Sequence, residues 1–175
     1  MVSETPPSEI TIRPVAPDDL AAIRDLHARA FGPGRFARTA HRIREGTGDF
    51  SQHCRVCVVD GRLVAAVRFT QIVVGGRRGA LLLGPLAVHP AFANRGHGRG
   101  LVAKALEDAR SAGISLVVLV GDEPYYGKLG FRRTPFGKIT LPGPVDPNRL
   151  LAAELVAGVL QDFSGAVAAD PVART

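Results

Sequence analysis

The sequence predicts an α+β domain with a mixed, mostly antiparallel central sheet flanked by helices. An early series of alternating apolar runs is joined at glycine turns, the pattern of an antiparallel meander. A later apolar run, a glycine-rich loop, an amphipathic stretch and a second apolar run follow one another as one strand-helix-strand unit. A chain of 175 residues, 46% of them hydrophobic, is about the size of one domain with its own core.

Residues 1–9 read as a loose tail. "EITIRPV" (Glu9 to Val15) alternates and predicts the first strand. Pro17 and Asp18 then open a helix whose apolar face is Leu20, Ile23, Leu26, Ala30 and Phe31, with acids in the first turn and Gly32 at the stop. "RFARTAHRIREG" predicts a second, shorter helix, apolar at Phe36, Ala40 and Ile43 and basic elsewhere, with the character of a mobile flap.

"CRVCVVDGRLVAAVRFTQIVV" holds two strands joined at Asp60-Gly61, a hairpin signal. The turn "GGRRG" leads into "ALLLGPLAV", a run suited to a strand buried on both faces. Gly84-Pro85 interrupts it, and because proline lacks the ladder N–H the strand should bulge or part from a neighbour there. "GRGLVAKALEDARSAG" predicts a helix with Leu101, Val102, Ala105, Leu106 and Ala109 inward and Gly113 as its cap.

"ISLVVLVG" is a buried strand, "DEPYYGKLGF" a short helical turn and "RRTPFGKITL" a further strand. Periodicity leaves "NRLLAAELVAGVL" open between strand and helix. The domain is expected over residues 10–165, with 166–175 as a C-terminal tail.

The net charge of +6 admits an anionic partner, but the excess is almost all arginine and no basic run is interleaved with aromatics, so no nucleic-acid partner is expected. No apolar run approaches the ~18 residues of a membrane span, so no membrane partner is expected either. The first residues lack the basic and apolar regions of a secretory signal, which points to the cytoplasm. Cys54 and Cys57 form a C-x-x-C at the start of a strand, where residues three apart face opposite ways. They are read as buried structural thiols, and no metal is expected.

A glycine-rich loop before a helix can wrap its unpaired N–H groups round a phosphate, although such loops also serve simply to turn the chain. In "ANRGHGRG", Arg95, His97 and Arg99 add charge. No Gly-Lys-Ser/Thr is present, which removes the nucleoside-triphosphate loop. A dinucleotide fingerprint would accept Gly96 and Gly98 and recruit Asp122, but its third small position falls on Leu101, and seven residues separate Val88 from Gly96.

"LGPLAVHPAFANRGHGRGLVAKAL", with "YYGKLGF" downstream, resembles the acetyl-coenzyme A core of the GNAT superfamily of N-acetyltransferases. The likeness is tight over residues 79–132 and extends in element order from 10 to about 160. The family pattern is a strand ending in Val, a Pro, then Gln/Arg-x-x-Gly-x-Gly/Ala opening a helix. Without a gap it starts on Ala93, which departs from Gln or Arg, and sets its glycines on Gly96 and Gly98. A slide of two residues would use Arg95, Gly98 and Gly100, and strand-to-helix distance favours the ungapped register.

The resemblance implies a splayed pair of central strands, with pantetheine in the gap along Leu86, Ala87 and Val88. It implies pyrophosphate binding by Asn94, Arg95, Gly96, His97, Gly98, Arg99 and Gly100, and an oxyanion facing the Val88 N–H. Tyr126 would be the acid for the leaving thiolate, the alternative being that Tyr125 and Tyr126 only pack the short helix.

The base is left open among Asp122, Glu123, His89, His41, His53 and a water chain. The expected activity is direct transfer from acetyl-coenzyme A, in a ternary complex, to a primary amine of a small molecule or peptide; no cysteine is placed to carry an acyl group. A homodimer is left open. The competing functions are a non-catalytic coenzyme A-binding domain and a nicotinamide-dependent oxidoreductase. The acceptor itself is set by Arg35 to Gln52 and the chain after Thr140, whose basic character leans slightly toward an acidic or phosphorylated molecule, although the arginine-rich composition of the whole chain explains it as well.

Overall fold

Strands β1 (Ile10–Pro14), β2 (Arg55–Val59), β3 (Arg62–Val74) and β4 (Arg77–Val88) form an antiparallel meander in a computed structural model that describes residues 4–31 and 39–174. The β2–β3 turn needs two left-handed residues, and Asp60 (φ 49°) and Gly61 (φ 80°) supply them. A β-bulge interrupts β3–β4 pairing, because Val67 faces Leu86 while Phe69 faces Leu83. Gly84 and Pro85 together stand opposite the single residue Arg68, at the place where the proline predicts distortion.

Helix α3 (His97–Ser111) returns the chain to β5 (Leu116–Val120), which lies parallel to β4. β5 then pairs with β8 (Leu150–Glu154), and the full order is β1-β2-β3-β4-β5-β8-β6, with β6 spanning Arg132–Arg133. The stretch that periodicity left open is therefore a strand, followed by a short 3-10 turn (Val159–Asp162).

Helix α1 (Leu20–Phe31) covers one sheet face, where Leu26 is buried over Val56, Ala66 and Ala87. Ala30, expected on this inner face, is exposed, and half-buried His27 turns inward instead. Helix α3 covers the opposite face, its five expected apolar residues all buried among residues such as Phe69, Leu81 and Val117. Both cysteines are buried and free.

Three further expectations change. The segment read as a mobile flap contains α2 (Thr39–Arg44), which is packed: Ile43 is only 4% exposed, in a cluster with Leu82 and Val118. Gly32, Arg35 and Phe36 lie outside the described residues. "RRTPFGKITL" is not one strand, because Pro135 and Gly137 turn the chain between β6 and β7 (Ile139–Thr140). The chain after residue 165 is not a tail as far as Ala169, since β9 (Gly165–Ala169) runs parallel to β7 and antiparallel to β3.

Among the described residues, no helix is long and apolar enough to cross a membrane. Nor do three or more His, Cys, Asp or Glu among them gather as a metal site would require.

Candidate active site

The β4–β5 ladder is short. Ala80, Leu81 and Leu82 pair with Leu116, Val117 and Val118, and there the pairing stops. Beyond it, β4 stays with β3 through Val88 while Leu119 and Val120 stay with β8. The strands separate, and a cleft of about 660 Å³ opens between Leu83–Leu86 on one side and Leu119 and Val120 on the other.

The row of backbone groups facing the gap follows from the register. The His89 N–H donates to the Val64 carbonyl at 2.8 Å. Antiparallel ladders alternate, so Ala87 turns its N–H and C=O toward β3, while Leu86 and Val88 turn theirs toward the gap. Ala87 is also buried beneath α1, in one cluster with Leu26.

At the end of β4, Pro90–Phe92 form a 3-10 turn, Asn94 (φ 60°) reverses the chain, and Gly96 (φ 83°) starts α3. No side chain caps this helix. Its first closed bond runs from the Gly100 N–H to the Gly96 carbonyl at 3.0 Å, so the outward donors of the first turn are those of His97, Gly98 and Arg99. Gly100 spends its N–H inside the helix.

Gly98 is buried, and a Cβ there would lie 2.7 Å from the Tyr125 hydroxyl and 3.2 Å from Val88 Cγ2. A Cβ on Gly100 would meet nothing within 4 Å. The backbone therefore makes demands at Gly96 and Gly98 and none at Gly100. Arg95 lies over the Phe92 ring at 5.4 Å and Arg99 over the Tyr125 ring at 5.5 Å, which keeps both cations at the loop.

Helix α4 (Glu123–Tyr126) starts just past β5 and splits the two tyrosines. Tyr125 turns to the start of α3, while Tyr126 lies against Gly121 and Phe131 and lines the cleft. The Tyr126 hydroxyl has no hydrogen-bond partner among the described residues. Burial first, and then the neighbouring Tyr125 and Asp122, push its pKa up to about 12.

The candidate bases scatter. His41 lines the cleft. His53 is buried away from it, and that burial, with Arg55 nearby, lowers its pKa. His89 caps the 3-10 turn through Nδ1, while Asp122 and Glu123 face Arg149 and Arg133. Arg44, Asp146 and Arg149 line the cleft and lie in the two segments expected to set the acceptor, while sequence reasoning missed His27 and Arg68, which line it as well. These two come from separate elements, α1 and β3, and no local motif marks them.

A family model described as "Acetyltransferase (GNAT) family" matches residues 20–131. The chain belongs to the GNAT family. The uncharacterized N-acetyltransferase YjhQ of Escherichia coli (strain K12) is 29% identical over 119 residues, 65% of this chain and 64% of that protein, so the match spans just under two-thirds of that relative. The GNAT N-acetyltransferase YhbS from Escherichia coli, solved in complex with CoA, superposes with a TM-score of 0.81 at 26% identity, over 95% of this chain and 92% of that one. A GNAT acetyltransferase from Brucella melitensis, solved in complex with acetyl-CoA, gives 0.62 at 28% identity, over 82% and 95%. The mixed sheet with its parted strands is thus the GNAT fold.

Proposed function

We propose that this chain is a cytoplasmic N-acetyltransferase, working as a single domain, that moves the acetyl group of acetyl-coenzyme A to a primary amine of a small molecule or peptide. The carrying observation is the cleft at the β4–β5 separation, lined by both Leu86 and Tyr126, with Val88 two residues further along the same edge of β4. Two structurally similar GNAT proteins were solved with CoA or acetyl-CoA, which supports the choice of co-substrate.

In this reading the outward N–H groups of His97, Gly98 and Arg99 hold the pyrophosphate, helped by the positive end of α3. Asn94, Arg95 and Gly96 shape the loop. The pantetheine amides pair with Leu86 and Val88 as an added strand would. The neutral amine attacks the thioester carbonyl, and the Val88 N–H stabilises the oxyanion that forms. Collapse breaks the C–S bond, Tyr126 gives its proton to the leaving thiolate, and the proton of the new amide nitrogen leaves through the open cleft. A phenol pushed up to about 12 is protonated at working pH but is a weaker acid than an ordinary tyrosine. Its proton therefore moves as the C–S bond breaks, and solvent then returns a proton to Tyr126.

The test is a broad amine panel with acetyl-coenzyme A, read as free thiol. Thiol release with at least one amine is expected, together with thermal stabilisation by acetyl-coenzyme A and none by NAD. Stabilisation with no thiol release from any amine would leave a binding domain and sink the enzyme reading.

A further inference from the structure

The cleft wall is rich in cations. Arg42, Arg44, Arg68 and Arg149 reach it with His27 and His41, against one carboxylate among its described lining residues, Asp146. Arg44 donates to the Gly84 carbonyl at 2.9 Å, and Arg149 lies 3.5 Å from Asp122. Arg68 differs from both. It sits on β3 opposite the Gly84-Pro85 bulge and lines the cleft as well as two smaller cavities beside it, so it stands where three spaces meet.

Only Nη2 of Arg68 is engaged, donating to Thr47 Oγ1 at 2.9 Å and the Gly48 carbonyl at 2.8 Å. Nε and Nη1 have no partner among the described residues, and no described carboxylate comes within ion-pair distance of this guanidinium. Cys54 and then Asp49 act in favour of its charge, and Asp49 is itself 3.6 Å from Arg24. Burial works against the Arg68 charge and lowers its pKa, the cost a cation bears when water leaves and no counter-charge arrives.

Thr47 also fixes the guanidinium in place. Its hydroxyl accepts from Arg68 and donates to the Arg44 carbonyl at 2.6 Å, so the donors are held before any ligand binds.

We propose that the acceptor amine carries an oxyanion, a carboxylate or a phosphate, and that Arg68 binds it. This names the substrate class of the acetyl-transfer reading and rests on it. An oxyanion takes up the free Nε and Nη1 donors and supplies the missing counter-charge. Arg68 is on the strand next to Leu86 and Val88, so an amine a few atoms from the anion reaches the gap where the acetyl group would lie.

Matched pairs test it: amino acids against their amides, and phosphoethanolamine against ethanolamine, each followed by thiol release. In the wild type at least one charged member should exceed its neutral partner by about tenfold or more in kcat/KM, and the pair that shows it tells carboxylate from phosphate. In Arg68→Gln that ratio should collapse, and in Arg68→Lys part of it should return. Neutral members turned over as well as charged ones in the wild type, a comparison that needs no variant to fold, would overturn the inference and leave the transferase reading standing. A ratio unchanged in Arg68→Gln would also overturn it. No turnover of any amine, with acetyl-coenzyme A still stabilising the fold, would overturn both.

Discussion

The Tyr125 hydroxyl rests on Gly98, 2.7 Å from the point a Cβ there would occupy, with Val88 Cγ2 3.2 Å away on the other side. Gly98→Ala must push the phenol out or shift the end of β4. The expected result is a loss of acetyl-coenzyme A affinity of about tenfold, or ~1.4 kcal/mol, by calorimetric titration. In a Tyr125→Phe background part of that loss should return, because the closest atom is gone. An equal loss in both backgrounds would exclude the Tyr125 contact as its cause.

Gly96 and Gly100 should part company. Gly96 is left-handed at φ 83°, so Gly96→Ala costs roughly 1–2 kcal/mol and misdirects the first turn of α3. Gly100 has open space and helical backbone, so Gly100→Ala should bind acetyl-coenzyme A normally and gain about 0.5–1 kcal/mol in urea unfolding. The reverse order of binding losses would favour the slid register headed by Arg95.

Tyr126→Phe removes one hydroxyl and leaves the ring against Phe131, 5.7 Å between centroids. Turnover should fall on the order of 10²-fold with acetyl-coenzyme A affinity nearly unchanged. With its pKa near 12, Tyr126 should add no falling limb to the wild-type pH–rate profile below about pH 11. Unchanged turnover in the variant would take Tyr126 out of the mechanism.

Asp19 ties β1 to α1. It accepts from both Nη atoms of Arg13, at 2.7 and 2.9 Å, and from the Ala16 N–H at 2.8 Å. The Arg13 bond is the main reason its pKa is lowered, against an opposing effect of burial. A depressed carboxylate adds stability that is full above its unfolded pKa of about 3.9 and is lost as pH falls through the lower folded value. Asp19→Asn should therefore cost about 1–2 kcal/mol in urea unfolding at pH 7, and that difference should shrink below pH 4. A difference independent of pH would show that charge is not its source.

Much of the fold could be read before any coordinates. Each signal was local: alternation in β1, Asp60-Gly61 between β2 and β3, Pro85 at the bulge, the spacing of five apolar residues along α3. The open and misread segments fall where local signals are weak or divided. β8 has an apolar run that suits either helix or strand, and pairing with β5 decided it. The α2 segment looks polar and loose, yet Ile43 finds a place in the core that only the folded sheet provides.

The site divides along the same line. The sequence by itself determined the loop and its helix, the tyrosine pair and the break in β4, because each depends on backbone preferences within a few residues. Tertiary structure decided the rest. It set which of Leu86, Ala87 and Val88 faces the gap, because alternation is counted from a hydrogen bond to Val64 on another strand. It separated Tyr125 from Tyr126, and it brought Arg68 to a cleft shared with residues far away in the chain. Long-range packing and pairing make those choices, and no short stretch of sequence records them.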